Sequence, residues 1–196
     1  LTMFALQVGR SRSISKEKGK EIIHGLQQIP HLIEEYLEDV GPIMDAVELV
    51  KDAKSVFFLG RGISAPVAKE GALKLMEVAY IPCLAYPAGE MKHGPIALLE
   101  EGSPIIFVVP NDHVKEKTVS AIHESKARGA KIILIHEQGD DISEEGDVNI
   151  AIPKVHSLLS PLLTVVPMQL IAYHTALALG NDVDRPRNLA KSVTVE

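Results

Sequence analysis

The sequence predicts an α/β fold: a doubly wound parallel sheet of five strands, flanked by helices and preceded by a helical connector. Five short apolar runs alternate with helical stretches between residues 55 and 180. Continuous apolar strands of this kind are typical of a parallel sheet covered on both faces. The 196 residues suffice for one ordinary domain, and a hydrophobic content of 46% argues against disorder.

Residues 1–52 predict the helical connector. Leu1–Val8 is apolar at helical spacing, without the charged start or cleavage site of a signal peptide. We expect it to be a helix cut partway, so that the chain is a piece of something longer. Pro30 and the pair Gly41–Pro42 are expected to interrupt the following helices, and a further helix is predicted at Ile43–Val50.

From residue 55 onward strands and helices alternate. The helix after the first strand is predicted over Val67–Tyr80, and the helix after the third over Val114–Arg128. Gly129 suits the left-handed position that ends a helix. The acidic stretch Glu137–Asp147 is expected to be a solvated loop. The strands are predicted at 55–59, 82–86, 104–109, 131–135 and 148–152.

The last third of the chain holds one long apolar stretch and a polar tail. Ser157–Gly180 is long enough for a membrane span, but its prolines and polar residues favour a buried core or interface helix. A structural alternative is that this stretch mainly supplies a dimer contact. The tail, residues 181–196, is dense in Pro, Arg and Asn and is expected to lie ordered over a surface. The predicted divisions are a connector at 1–52, the main domain at 53–180 and the tail at 181–196.

Composition excludes several classes of function. A net charge of −6 argues against binding nucleic acid by neutralising its phosphates. The single cysteine, Cys83, excludes an intramolecular disulfide and fits a reducing compartment, so we expect a cytoplasmic location. Cys83 falls inside a predicted buried strand without a basic neighbour, which favours a packing role over a nucleophile. The sequence shows no cluster of metal ligands at the usual spacings.

A first candidate for chemistry is the ladder of charges on the helix predicted at 67–80. Glu70, Lys74 and Glu77 are spaced at i, i+4 and i+7 and therefore share one face. From the pattern alone, an ordinary solvated ladder is the favoured interpretation. The functional alternative is that Glu77 is a carboxylate base beside the ammonium group of Lys74.

Two further candidates follow the first two predicted strands. The turn Gly60–Arg61–Gly62 matches neither a dinucleotide fingerprint nor a Walker loop, although its amides could hold an anion. His93, in the loop Ala88–Pro95, could move protons near neutral pH. Because ligands in doubly wound sheets gather beyond the carboxyl ends of the strands, both features should face that edge.

Taken together, four segments resemble the SIS (sugar isomerase) domain family, and within it the isomerase part of the glutamine–fructose-6-phosphate aminotransferases. The segments are Gly60–Gly62, Glu70–Glu77, Ala88–Pro95 and Pro186–Glu196. The resemblance spans nearly the whole chain and implies a flavodoxin-like SIS fold. It corresponds to the second SIS subdomain plus the tail, with Leu1–Arg10 as the last helix of the first subdomain.

The resemblance implies the role of each site residue. Glu77 would be the base that moves a proton between C1 and C2 of the open-chain sugar. His93 would assist ring opening from the partner subunit of a homodimer, and Lys191 would form an imine with the ketose or position it. Arg61 matches a motif position without an assigned role. The other positions implied to line the sugar site are Glu70, Lys74 and Ala190.

The implied parent reaction converts fructose 6-phosphate, with ammonia from glutamine, into glucosamine 6-phosphate, without a metal or organic cofactor. The glutaminase nucleophile and the Ser/Thr-rich phosphate loop of the family have no counterpart here, so we expect little synthase activity from the chain alone. Three alternatives remain open: a non-catalytic sugar-phosphate sensor, a free-standing phosphosugar isomerase or deglycase, and the structural role of Ser157–Gly180. No nucleic-acid or membrane partner is expected.

Overall fold

The computed structural model describes residues 1–189 and confirms the predicted doubly wound α/β fold. Its five strands are all parallel and lie in the order β2-β1-β3-β4-β5. The order reverses between β1 and β3, which makes this pair the switch point of the sheet. The strands are β1 (Val56–Gly60), β2 (Cys83–Pro87), β3 (Pro104–Val109), β4 (Lys131–Glu137) and β5 (Val148–Ile152). The helices are α1 (Thr2–Arg10), α2 (Lys16–Tyr36), α3 (Gly41–Val50), α4 (Ser64–Ala79), α5 (Lys115–Lys126) and α6 (Ser160–Ala178).

Alternate side chains of the central strands enter two separate cores. In β1, Phe58 packs on the face covered by α3, α4 and α6, whereas Phe57 packs on the face covered by α5. Ile106 and Phe107 of β3 divide in the same way. All four side chains are fully buried, so the continuous apolar runs of the sequence reflect burial on both sides of the sheet.

Helices α4 and α6 cross closely on the first face. At Gly71 of α4, an added Cβ would lie only 2.4 Å from the sulfur of Met168 and 2.9 Å from its Cβ. The glycine therefore sets how near the two helices can approach. Among the described residues, Ser157–Ala178 is the only stretch long and apolar enough to cross a membrane. It packs on α4 and α3 as a core helix.

The prediction that Pro30 interrupts the connector helices was wrong. The helix α2 continues from Lys16 to Tyr36 with Pro30 inside it, and the hydroxyl of Ser15 caps its start by accepting the Lys18 amide. Proline removes a single helical hydrogen bond, and Ile29 before it and Ile33 after it both pack against the same core. Pro42 begins α3, as its fixed φ allows.

The expectation that the acidic stretch is a solvated loop was wrong at two of its carboxylates. Glu137 is the last residue of β4 and only 6% exposed, and the Asp140 side chain is 4% exposed. Asp140 and Asp141 both bind the ammonium group of Lys115 on α5. Burial raises the pKa of Glu137, with the amide of Asn111 and nearby lysines acting against that shift.

Strand β2 was predicted to be buried, but it is an edge strand whose side chains are half-buried. The Cys83 thiol donates to the carbonyl oxygen of Ile81 at 3.2 Å. Burial raises the pKa of Cys83 to about 12. A thiol that stays protonated is a poor nucleophile, which agrees with the packing role inferred from the sequence.

Candidate functional site

The ladder of Glu70, Lys74 and Glu77 lies on a single face of α4. The ammonium nitrogen of Lys74 lies 2.7 Å from Oε2 of Glu77 and 3.5 Å from Oε1 of Glu70. The Glu77 side chain is 22% exposed, so it faces neither the core nor open solvent. The hydrogen bond with Glu77 raises the pKa of Lys74, whereas burial acts to lower it. The arrangement is a carboxylate held in place by a cation at the edge of the fold.

The C-terminal end of α4 also receives the described part of the tail. Tyr80 follows the helix in the left-handed conformation, with φ of 62°. The amide of Arg187 donates to the Tyr80 hydroxyl at 2.8 Å, and the Arg187 guanidinium lies 4.1 Å from the centre of the Tyr80 ring. The Asn181 side chain donates to the carbonyl oxygen of Val78 at 3.1 Å. Asn181 and Arg187 therefore hold the described part of the tail against the end of the helix that carries Glu77.

Ala190 and Lys191, the two tail residues implied to contact the sugar, lie outside the described residues. The structure places their neighbours up to Leu189 and gives no position for either side chain. Lys191 is four residues beyond Arg187. An extended chain of that length spans at most about 14 Å.

Arg61 and His93 lie at the other end of α4. Gly60 ends β1, and an added Cβ there would lie 2.5 Å from the carbonyl oxygen of Ser64, so the turn into α4 requires glycine. Gly62 has φ of 57°, a left-handed conformation. His93 ends the short 3₁₀ helix that follows β2, and its side chain is exposed. Both residues face the carboxyl edge of the sheet, as the sequence predicted.

The structure brings Glu70, Lys74 and Glu77 together but separates them from His93 within one chain. Ser64 and Glu77 are 13 residues apart on α4, which corresponds to about 20 Å along the helix. Within one chain, His93 lies with Arg61 near the start of α4, and Glu77 lies near its end.

Sequence reasoning missed Tyr80 as a contact of the tail and Gly89 as a contact of Arg61. A Cβ on Gly89 would lie 3.0 Å from a terminal nitrogen of the Arg61 guanidinium. Tyr80 and Arg187 are 107 positions apart, and no local pattern reports such a contact. In residues 1–189 there is no group of three or more His, Cys, Asp or Glu side chains that could hold a metal ion.

Comparison with known proteins places this geometry in a family. The model of the SIS domain matches residues 49–179. The chain is 46% identical over its full length to glutamine–fructose-6-phosphate aminotransferase (isomerizing) of Thermus thermophilus and to the enzyme of that name from Thermococcus kodakarensis. It spans about a third of the length of each, with a coverage of 33%.

A solved structure agrees with the sequence relatives. The C-terminal domain of glucosamine-fructose-6-phosphate aminotransferase from Francisella tularensis superposes with a TM-score of 0.87 at 35% identity. The superposition covers 94% of this chain and 52% of that domain. The family resemblance predicted from the four sequence segments is confirmed, and the chain belongs to the SIS domain family.

Proposed function

We propose that this chain is the C-terminal isomerase portion of an enzyme that makes glucosamine 6-phosphate from fructose 6-phosphate and glutamine. The observation that carries the proposal is the Glu77–Lys74 pair beside an anchored tail. The relatives that share 46% of the sequence bear the name of this activity. Arg187 of the tail is fixed on Tyr80, three residues after Glu77. An ordinary surface ladder of charges does not require such a contact.

Glu77 is the base of the isomerisation in this proposal. It removes a proton from C1 of the open-chain sugar, leaving an enolic intermediate, and returns the proton to C2. A carboxylate suits both steps because it accepts and releases one proton without other change. Lys74, at 2.7 Å, holds the carboxylate in position, and Glu70 completes the face that meets the sugar.

The tail supplies Lys191 and Ala190 to the same site. Arg187 is anchored on Tyr80, which lies one helical turn beyond Glu77. Lys191 follows within about 14 Å of that anchor, and its side chain extends the reach further. We propose that its amine forms an imine with the ketose or positions it, while Ala190 contacts the sugar beside it.

His93 acts in the partner's site, so the working unit is a homodimer. Within one chain, His93 lies near the start of α4, and about 20 Å of helix separates that end from Glu77. His93 is exposed on a loop at the far end of the subunit, where a second copy can receive it. There its imidazole moves the proton needed for ring opening of the sugar.

The proposed divisions are a connector at 1–52, the SIS domain at 53–180 and the tail at 181–196. Since the chain spans a third of its relatives, we propose that glutamine hydrolysis and the main phosphate grip belong to other parts of the enzyme. The isolated chain should then show little or no synthase activity. We propose a cytoplasmic location for the enzyme, since the single cysteine of this chain excludes a disulfide within it.

Mixed dimers test the shared site directly. In the full-length enzyme, Glu77→Gln and His93→Gln should each abolish most amino-sugar formation. Random mixing of the two variants leaves half of the dimers hybrid, and each hybrid has one intact site of two. The mixture should therefore recover about a quarter of the wild-type rate, measured as glucosamine 6-phosphate formed.

The controls fix the interpretation. Glu77→Gln mixed with itself after the same denaturation and refolding should stay inactive. If the mixture recovers no activity although light scattering confirms that dimers form, the shared site is rejected. Full activity of Glu77→Gln alone rejects the isomerase assignment and favours a sugar-phosphate sensor.

A further inference from the structure

A cleft at the opposite end of α4 from Glu77 collects three cationic side chains. It has a volume of about 260 Å³. Its walls come from the turn after β1, the 3₁₀ helix after β2 and the exposed face of α5. We name it the Arg61 cleft; it is lined by Arg61, Lys92, Lys117, Gly89, Ser120 and Glu124, with the backbone of Ala88 and Ala121.

The fold holds Arg61 in this cleft. Glycines on both sides of it make a turn that no other residue could adopt, because Gly60 lies against Ser64 and Gly62 is left-handed. The guanidinium then lies directly over Gly89, where a Cβ would come within 3.0 Å of its terminal nitrogen. The missing side chain at position 89 leaves the space that the guanidinium occupies.

The cations of the Arg61 cleft lack carboxylate partners. Within residues 1–189, Arg61, Lys92 and Lys117 form no ion pair, and neither does Glu124. Lys74 and Lys115, by contrast, each bind two carboxylates. In a chain with a net charge of −6, three cations facing one carboxylate leave a local positive field that attracts an anion.

We propose that the Arg61 cleft binds a phosphate dianion, either free or as the phosphate group of a small monoester. A guanidinium presents a planar fork that matches two phosphate oxygens, and ammonium groups add compact charge on either side. At about 260 Å³ the cleft is slightly smaller than most ligand pockets, which suits inorganic phosphate or a phosphorylated sugar rather than a nucleotide. Lys92 comes from the 3₁₀ helix after β2 and Lys117 from α5, so the two ammonium groups belong to different elements.

Within one chain, this cleft is separate from Glu77, the base proposed for proton transfer. About 20 Å of helix lies between the start of α4 and Glu77. The inference gives Arg61, a motif residue without a role in the isomerisation, a ligand of its own. It does not rest on the proposed function, since any chain with this cleft should take the anion.

Titration of the complete chain with inorganic phosphate tests the inference. At 21.3 kDa, the amide resonances of the chain can be followed by nuclear magnetic resonance at constant ionic strength. Phosphate should cause saturable shifts at Gly62, Gly89 and Lys92, with half-saturation in the millimolar range or below. The variant Arg61→Gln should weaken binding at least tenfold, and Arg12→Gln, an exposed arginine on the connector, should leave it unchanged.

Other variants keep the test decisive. If Arg61→Gln fails to fold, Lys117→Gln on the exposed face of α5 replaces it, and a threefold or larger loss supports the site. Glu77→Gln should bind phosphate as the wild type does, even if the proposed isomerisation proves wrong. Tighter binding of glucosamine 6-phosphate than of phosphate at these resonances identifies a monoester as ligand, and the reverse identifies free phosphate.

Two outcomes overturn the proposal. Shifts that rise linearly with phosphate and match those caused by chloride show ionic strength alone. Resonances of the cleft that ignore phosphate but change when the dimer forms show that a partner's carboxylate, rather than a phosphate, meets the three cations.

Discussion

The two ends of α4 use charge in opposite ways. At the C-terminal end, Lys74 and Glu77 neutralise one another at 2.7 Å, and Arg187 rests on an aromatic ring. At the N-terminal end, Arg61 and its two lysine neighbours face a cleft without ion-pair partners in the described chain. In the two proposals, the paired groups at one end move a proton and the unmatched cations at the other end hold an anion. One helix can therefore serve two kinds of chemistry because its ends face different neighbours.

The largest expected effect concerns Glu77. Glu77→Gln in the full-length enzyme should lower kcat by about 10²- to 10⁴-fold, the usual contribution of a positioned base. The free energy of unfolding should change by less than about 1 kcal/mol, because a half-exposed ion pair contributes little. Steady-state assays and urea unfolding measure the two quantities.

Glu48 provides the matched control for that comparison. Glu48 is on α3, and its carboxylate lies 2.7 Å from the ammonium group of Lys51, the residue after that helix, the same distance as in the Glu77–Lys74 pair. Glu48→Gln should leave kcat unchanged. Equal losses of activity in both variants would mean that ion pairing stabilises the fold and that the C-terminal end of α4 has no special role.

The next effect concerns the crossing that fixes both ends of α4 relative to the sheet. Gly71→Ala should lower the free energy of unfolding by about 1–2 kcal/mol, since overpacking against Met168 outweighs the gain in helix propensity. Gly25→Ala in α2 meets only the flexible tip of Leu159, at 2.7 Å. It should be neutral or stabilising. Urea unfolding that ranks the two variants in the opposite order contradicts the close crossing.

A smaller effect is expected at the tail anchor. Tyr80→Leu removes both the hydroxyl that accepts the Arg187 amide and the ring under its guanidinium. It should lower kcat/KM about tenfold, and Tyr80→Phe about threefold, in line with the usual worth of one hydrogen bond and one cation–π contact. Tyr173→Leu, on the exposed side of α6, is the control. If kcat/KM is unchanged in both Tyr80 variants, the contact between Tyr80 and the tail does not contribute to the site.

The smallest effect concerns Glu137, a buried carboxylate at the end of β4. Burial raises the pKa of Glu137, so the folded state favours its protonated form. Its contribution to stability is complete below the ordinary carboxyl pKa and is lost as pH rises through the raised value. Glu137→Gln should therefore increase the free energy of unfolding at pH 8, by on the order of 1 kcal/mol.

The pH dependence of this variant is the check. Denaturant unfolding of wild type and Glu137→Gln should differ at pH 8 and converge near pH 4. A variant that is less stable at pH 8 would mean that Lys115, Lys154 and the Asn111 amide stabilise the ionised carboxylate more than burial opposes it. The buried charges of this edge would then act as one network.

The sequence predicted the sheet well because its strands are defined by local composition. The run 104–109 is apolar without interruption, and the structure makes it the central strand β3. The turn at Gly60 and Gly62 and the left-handed Gly129 were also predicted, since glycine has few other reasons to stand there. The shared face of Glu70, Lys74 and Glu77 follows from helical spacing alone.

What could not be predicted depends on contacts between distant parts of the chain. Pro30 stays inside α2 because side chains on either side of it reach one core. Glu137 and Asp140 were expected to be solvated because they lie in an acidic stretch. Glu137 is instead buried because β4 extends to it, and Asp140 because it pairs with Lys115 of α5. The contact between Arg61 and Gly89 could not be predicted either, because it depends on β1 and β2 being neighbours in the sheet.

The left-handed backbone of Tyr80 matters for any attempt to increase the stability of this fold. Helices commonly end in glycine at a left-handed position, and a side chain there costs about 1 kcal/mol. A stability screen would select Tyr80→Gly for that reason. The same replacement would remove the phenol that Arg187 contacts, so the more stable variant would lose the contact that holds Arg187 at the end of α4.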